Sequence, residues 1–281
     1  MRDEGKSNNI ILTGIPRSGS SMLCVMLSAV PGFLALNEAL KLGHLVSKDQ
    51  VPPFVEEAYV RIRHQVLSTG TAPSRNADGR QVMNHFARTP GDRNLLLKKS
   101  DIQIHKNLDE NFILGVKHNA IFTLALRELC HLKWPLFAII RNPLAVLGSW
   151  NTLEIPVSAG RMKNLGQWEP ELHKEVQAQP DLLRKQVLLL DFYFRQYKNF
   201  IAEKNILRYE RLCSSPSDEL SKIAGSAQVF EVERVENLNQ SSIYPRENFP
   251  DYFNALSELP DAAWRHFYEE AELLELMDSK L

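Results

Sequence analysis

The sequence has few cysteines, no long apolar segment and almost no net charge. The odd number and wide spacing of Cys24, Cys130 and Cys213 fit neither a disulfide framework nor a zinc ribbon, and they favour a reducing compartment. The longest strongly apolar stretches are far too short to cross a bilayer, and no apolar signal core follows Met1. A formal net charge of −1 provides no global attraction to nucleic acid or anionic membranes. We therefore expect a soluble, cytoplasmic protein with no membrane span and no nucleic-acid partner.

Several common catalytic and metal-binding motifs are also missing. The sequence contains no HExxH, no paired CxxC and no GxSxG, so metalloprotease, zinc-ribbon and α/β-hydrolase functions lose their main support. No internal repeat indicates a solenoid. A chain of 281 residues that is 44% hydrophobic is typical of a globular protein with a substantial core. We predict one α/β domain that spans residues 1–281.

Five short apolar runs predict buried strands at 10–13, 33–36, 112–116, 136–140 and 206–209. Predicted helices cover 22–30, 55–67, 121–131, 182–202 and 262–277, and a further helix begins at 145. Residues 68–79 are predicted to form a polar loop, and 152–180 a polar, partly irregular segment. Because the strands are apolar on both faces and alternate with helices, we predict a parallel sheet flanked by helices.

The residues whose side chains could bind a ligand or take part in catalysis follow these strands. The carboxyl ends of the predicted strands carry the loop 14–19, Glu38, the pair Lys117 and His118, Arg141, and Tyr209. Ligands of parallel α/β sheets bind at this edge. The sequence therefore predicts one site that is assembled from distant segments.

The segment 14–21 reads Gly-Ile-Pro-Arg-Ser-Gly-Ser-Ser between a predicted strand and a predicted helix. Such a turn directs backbone N–H groups and a helix N-terminus at an anion. Arg17 adds a planar charged fork, and Ser20 and Ser21 add hydroxyl groups. The frame is close to the nucleotide loop G-x4-G-K-[ST], but Ser20 stands where that loop has its lysine. This difference argues against triphosphate hydrolysis.

A second candidate anion site begins at Arg141. Pro143 sets the start of a helix, and Ser149 lies eight residues beyond Arg141 on that helix. A guanidinium and a hydroxyl can together hold one phosphate. Arg-Asn-Pro followed by a serine is a weak signal alone, but with the first loop it predicts a ligand that has two separate anionic groups.

Together these motifs resemble those of sulfotransferases that use 3′-phosphoadenosine 5′-phosphosulfate (PAPS), many of which read G-x-P-R-S-G-T-T in the first loop. The motifs are most similar to those of bacterial and tyrosylprotein-type enzymes, whose fold is P-loop-like. The resemblance implies that the donor's 5′-phosphosulfate lies on a loop formed by Arg17, Ser18, Gly19, Ser20 and Ser21. It also implies that Arg141 and Ser149 hold the 3′-phosphate. Tyr209 matches the tyrosine of a Y-E-D-L segment near the adenine, although Arg211 replaces the aspartate. Arg246, on a late loop, is a further candidate for a donor contact.

The same resemblance implies the catalytic groups. Glu38 matches the base of tyrosylprotein-type and several bacterial enzymes, whereas His118 is an alternative that is similar to the histidine of cytosolic animal enzymes. We favour Glu38. Lys117 matches the lysine that stabilises charge on the transferred group. The reaction of the family needs no metal.

The expected function is transfer of a sulfuryl group from PAPS to a hydroxyl or amine, with adenosine 3′,5′-bisphosphate (PAP) as product. The acceptor is expected to be a small molecule or saccharide, selected by residues 40–93 and 154–180. No residue pattern in these two segments indicates which acceptor is bound. Oligomeric state stays open. Two alternatives remain: a P-loop small-molecule kinase, and a non-catalytic nucleotide-binding protein on the same fold.

Overall fold

The computed structural model describes residues 8–86, 97–225 and 233–278. The strands are β1 (Asn9–Gly14), β2 (Phe33–Asn37), β3 (Thr71–Asn76), β4 (Lys98–Gln103), β5 (Ile113–Lys117), β6 (Leu136–Ile140) and β7 (Ile206–Arg208). The α-helices are α1 (Ser20–Ala29), α2 (Val51–Thr69), α3 (Ala120–Leu124), α4 (Leu126–Leu129), α5 (Pro143–Trp150), α6 (Leu165–Trp168), α7 (Pro170–Ala178), α8 (Leu182–Phe200), α9 (Tyr209–Ser214), α10 (Pro216–Ala224), α11 (Phe249–Ser257) and α12 (Glu270–Asp278). Among the helices of these ranges, none combines the length and apolarity that a membrane crossing requires.

The main sheet has five strands in the order β2-β5-β1-β6-β7, and every neighbouring pair is parallel. The predicted α/β architecture is therefore confirmed, and each of the five predicted strands lies within one or two residues of an observed strand. The strands form here because their side chains are buried on both faces. Ile10 and Leu12 of β1 pack into one apolar cluster, whereas Ile11 packs into another. Helices cover both faces, as the two-sided apolar pattern requires.

The order of the strands creates a crevice between β1 and β6. From β1 the chain passes through α1 to β2 on one side, whereas from β6 it passes to β7 on the other side. Connections that depart in opposite directions leave an opening at the carboxyl ends of the two strands, which is where ligands bind in such sheets. Gly14 is paired with Ile139 in the register of β1 and β6, so the loops that follow both strands begin side by side.

The prediction of a polar loop over 68–79 is wrong for most of that segment. β3 pairs with β4 in a two-stranded antiparallel sheet, with Arg75 opposite Lys99. The side chains of β3 alternate between half-buried and buried, which is the period-two pattern of a strand with one covered face. Pro73 and the polar composition concealed this pattern, because proline and polar residues are depleted in strands.

The predicted helix over 262–277 is also wrong in its first half. A short 3₁₀ turn covers Ala263–His266, and the α-helix begins only at Glu270. Trp264 and Tyr268 are both buried, and the side chain of Asp191 accepts a hydrogen bond from the amide of Ala263 at 2.6 Å. Tertiary packing therefore overrides the local helical pattern here.

Candidate functional site

A cavity of about 920 Å³ opens at the carboxyl edge of the main sheet. Most of the residues that the sequence singled out line it, namely Arg17, Gly19, Ser20, Ser21, Glu38, Lys117, Arg141 and Tyr209. Ser18, His118 and Ser149 are buried beside the cavity and do not line it. The parallel register explains the convergence, because strand ends that are distant in sequence meet at the same edge.

Two side-chain hydrogen bonds hold the loop after β1 in place. The hydroxyl of Ser18 donates to the carbonyl of Ile139 at 2.9 Å, and the indole of Trp150 donates to the carbonyl of Pro16 at 2.8 Å. Gly14 has no room for a side chain, since an added Cβ would lie 2.6 Å from Ile139 Cγ2. Ser18 thus holds the loop against β6 through its side chain. The amides of the first turn of α1, which lack partners within the helix, lie at the end of this loop.

The backbone conformation of this loop is unusual at Arg17. Its φ of 75° and the φ of 85° at Gly19 lie in the left-handed region. Such a conformation costs a non-glycine residue about 1 kcal/mol or more and is concentrated at functional sites. The Arg17 guanidinium donates to Ser149 Oγ and to Asn84 Oδ1, both at 3.2 Å, and it lies 4.7 Å from the centre of the Phe86 ring. Arg17 therefore connects the loop with the helix that carries Ser149.

Arg141 is buried and held at each nitrogen of its guanidinium. Nε donates to Asn239 Oδ1 at 2.7 Å, Nη1 donates to the carbonyl of Arg17 at 2.9 Å, and Nη2 donates to the hydroxyl of Tyr244 at 3.1 Å. The group stacks on the Tyr209 ring at 4.3 Å. Among the described residues, two of its five N–H groups make no hydrogen bond. Arg141 is therefore a fixed charged fork at the wall of the cavity.

The second candidate site also contains Tyr244, which the sequence did not single out. The hydroxyl of Tyr244 is hydrogen-bonded to Arg141 and also interacts with Ser149. Interaction with the Arg141 cation offsets the effect of burial, so the pKa of Tyr244 is lowered. A phosphate oxygen that reached both Arg141 and Ser149 would have to take over contacts that this phenol now makes.

Glu38 follows β2 and forms ion pairs with two cations. Its carboxylate lies 3.2 Å from Arg75 Nε and 3.6 Å from Lys117 Nζ. Burial acts to raise the pKa of the carboxyl group, but the neighbouring cations, chiefly Lys117 and then Arg75, outweigh it and lower the pKa to about 2. Glu38 is also in the left-handed region, with a φ of 47°. The side chain of Lys117 is 2% exposed and that of Glu38 is 29% exposed, so the carboxylate is the accessible member of the pair.

The two buried histidines of this region are neutral. Nε2 of His118 accepts a hydrogen bond from the amide of Leu40 at 3.2 Å, and burial lowers the pKa of the ring to about 3 although Glu38 opposes this. Burial likewise lowers the pKa of His85 to about 3, and its Nε2 lies 2.7 Å from Asn37 Nδ2. The lone pair of His118 that a base would use is thus already occupied by backbone.

Sequence reasoning missed three residues that shape the site: Arg75, Asn239 and Tyr244. The period-two pattern of β3 was the only available signal for Arg75, and none existed for the other two, since they lie in an irregular segment. Glu210 fixes Asn239 by accepting from its Nδ2 at 2.8 Å. The expectation for Arg246 is wrong, because its guanidinium donates to the carbonyl of Leu276 and the residue does not line the cavity.

Comparisons with known proteins give little beyond this geometry. No protein-family model and no curated protein matches the chain. Among solved structures, a sulfotransferase from Alicyclobacillus acidocaldarius is similar over 94% of this chain and 97% of that chain, at 14% sequence identity and a TM-score of 0.46. In the part of the chain that the structure describes, no group of three or more His, Cys, Asp or Glu side chains could hold a metal ion. With so remote a likeness, the function has to be inferred from the site itself.

Proposed function

We propose that this protein is an enzyme that transfers a sulfuryl group from PAPS to an acceptor hydroxyl or amine, in a reducing, cytoplasmic setting. One observation carries the proposal: Arg17 with the start of α1, Arg141, and the Glu38–Lys117 ion pair all line a single cavity. A donor with a phosphosulfate at one end and a 3′-phosphate at the other needs two anion sites. An acceptor that attacks the sulfate needs a general base within reach, and the Glu38 carboxylate lines the same cavity.

The donor's 5′-phosphosulfate fits the loop 16–21, because helix N-terminal amides and the Arg17 guanidinium favour a multiply charged anion. Arg141 would hold the 3′-phosphate, with Ser149 adding a hydroxyl once the Tyr244 contact is exchanged. Tyr209 also lines the cavity, and its ring is the proposed contact for the adenine. We retain Ser18 as a residue that positions the loop.

The reaction is an in-line displacement at sulfur. The acceptor oxygen or nitrogen forms a bond to sulfur as the bond between sulfur and the bridging oxygen of the 5′-phosphate breaks. The electron pair of the broken bond remains on the phosphate of PAP, and the acceptor's proton passes to Glu38. Lys117 stabilises the negative charge on the transferred group and the leaving phosphate.

A carboxylate with a pKa of about 2 is ionised but is a weak base. The bound donor corrects this weakness, since its sulfate brings negative charge next to Lys117 and so offsets the cation that depresses the pKa of Glu38. A group whose pKa rises toward neutrality when the donor binds is a better general base. His118 remains a structural residue under this assignment, because its Nε2 holds the Leu40 amide.

The test is product formation in the presence of EDTA. Protein, PAPS and a panel of phenols, alcohols, amines and saccharides are incubated, and PAP and sulfated product are followed by mass spectrometry. We expect acceptor-dependent formation of both, lost in Arg17→Gln and kept in Arg61→Gln, an exposed control on α2. Magnesium-dependent phosphoryl transfer from ATP would instead support the kinase alternative. Tight PAP binding with no turnover across the panel would support the non-catalytic one.

A further inference from the structure

The charges around the cavity are unequal. Six cationic side chains line it against the carboxylates of Glu38 and Glu236; the cations are Arg17, Arg75, Lys117, Arg141, Arg161 and Lys163. The proposed donor accounts for Arg17, Lys117 and Arg141, and Arg75 is paired with Glu38. Arg161 and Lys163 remain, and neither makes an ion pair within the described ranges. The cavity thus carries positive charge that the donor does not use.

Lys163, one of these two cations, lies on the side of the cavity near Glu38. The ammonium group of Lys163 lies directly over Gly43, where an added Cβ would be 2.1 Å from Nζ. Gly43 is five residues beyond Glu38, so the absence of a side chain there allows Lys163 to approach the segment that carries the proposed base. Burial lowers the pKa of nearby Lys99, and Arg75, Lys41 and Lys163 reinforce the shift although Glu38 opposes it. Cations are therefore concentrated in this region.

Two buried polar atoms of the same cavity lack partners. The hydroxyl of Tyr193 and the side-chain oxygen of Asn119 are inaccessible to solvent and make no hydrogen bond in the described structure. Both residues line the cavity with Glu38 and Lys117, and the Glu38 carboxylate is close enough to add to the effect of burial in raising the pKa of Tyr193. A buried polar group without a partner costs free energy, and such a group beside a cavity calls for a partner that enters the cavity, such as water, an ion or a ligand. A hydroxyl group can donate to the Asn119 oxygen and accept from the Tyr193 phenol.

We propose that the acceptor is an anion that carries hydroxyl groups, with a carboxylate or sulfate ester held by Arg161 and Lys163 and a hydroxyl held by Tyr193 and Asn119. The inference rests on the proposed function, since it concerns the acceptor of that reaction. The apolar wall formed by Val157, Met162 and Met83 suits the non-polar face of a sugar ring or an aromatic substituent. An acidic saccharide or its glycoside unites these properties.

Calorimetry with PAP-saturated protein tests the proposal through three probes that differ at one position. The probes are p-nitrophenyl β-D-glucoside, the matching glucuronide, and the glucoside 6-sulfate. We expect at least one anionic probe to bind about tenfold or more tightly than the neutral glucoside, as a charge-assisted contact predicts. The glucuronide and 6-sulfate arms distinguish a carboxylate from a sulfate ester. Equal affinity for all three probes, or no binding of any, would overturn the proposal.

Variants assign the effect to the named residues. In Arg161→Gln/Lys163→Gln the advantage of the anionic probe should fall to about twofold or less, whereas the neutral probe should bind as before. The control Arg127→Gln/Lys133→Gln alters two exposed cations away from the cavity and should keep the advantage. Tyr193→Phe should weaken all three probes by a similar factor, roughly threefold to tenfold, without changing their ratio. An unchanged ratio in Arg161→Gln/Lys163→Gln would contradict the assignment.

The donor measurement separates the two proposals. If PAP fails to bind, the proposed function fails and the preference of the cavity for anions must be explained otherwise. If PAP binds and the probes show no charge preference, sulfuryl transfer stands and only the acceptor class proposed here is lost.

Discussion

Arg141 donates a hydrogen bond from Nη1 to the main-chain carbonyl of Arg17 at 2.9 Å. These residues are 124 positions apart in sequence and belong to the two predicted anion sites. The left-handed backbone at Arg17 accompanies this bond, and the Arg17 side chain in turn donates to Ser149. A direct hydrogen bond therefore connects the two sites.

Arg141→Lys keeps the charge and removes the planar fork. A lysine cannot donate simultaneously to Asn239, Arg17 and Tyr244 in the same geometry. We expect the affinity for PAP to fall by about 1.5–3 kcal/mol, which is the usual value of a charge-assisted bond, and the affinity for AMP to change much less. Titration calorimetry with both nucleotides measures this, with Arg127→Lys, an exposed arginine on α4, as the control. An equal loss for PAP and AMP would place Arg141 outside the 3′-phosphate site.

Glu38→Gln removes the proposed proton acceptor and keeps its size. Turnover in steady-state sulfation should fall by about 10²–10⁴-fold, the usual contribution of a positioned general base. Affinity for PAP should change little, because Glu38 need not contact either phosphate.

His118→Ala provides the contrast, since it leaves the Leu40 amide without its acceptor. We expect a stability loss of about 1–3 kcal/mol in urea unfolding and a smaller loss of turnover than in Glu38→Gln. Normal turnover in Glu38→Gln together with collapse in His118→Ala would transfer the role of base to the histidine.

His85 and His118 should make the fold sensitive to acid. Burial holds the pKa of both rings at about 3, against an ordinary value of 6.5. Between these values the unfolded chain binds protons that the folded chain does not, so stability should fall as the pH falls through that window. The slope is at most about 1.4 kcal/mol per pH unit for each ring. Urea unfolding between about pH 7 and pH 5 measures it, and His118→Gln should reduce the slope. A stability that does not change over this range would contradict the neutral, buried state of the rings.

Much of the central sheet was predictable because its strands are continuous apolar runs bounded by glycine, proline or charge. The edge to which the site belongs followed from the parallel arrangement alone. Lys117 is paired with Asn37 in the register of β5 and β2, so the residue after Asn37, Glu38, lies beside Lys117. That pairing depends on strand order, which the alternation of strands and helices only suggests.

The contacts that complete the site were not predictable from local patterns. Asn239 and Tyr244 reach Arg141 from an irregular segment about a hundred residues later in the chain, where no periodicity indicates which side chains point inward. Arg75 belongs to β3, a strand whose proline and polar residues are typical of a loop. The sequence predicts that Ser18 contacts the donor, whereas in the structure its hydroxyl donates to the carbonyl of Ile139 and holds its own loop. Only the folded chain shows this contact.

Comparison of PAP with AMP in the presence of EDTA tests the central claim most directly. The two nucleotides differ only in the 3′-phosphate, and the claim is that Arg141, with Ser149, holds that group while the loop 16–21 holds the other end. Calorimetric titration should give a dissociation constant for PAP at least about tenfold lower than that for AMP, with no requirement for a divalent metal. Equal affinities for PAP and AMP, or PAP binding that appears only when magnesium is added, would contradict the account.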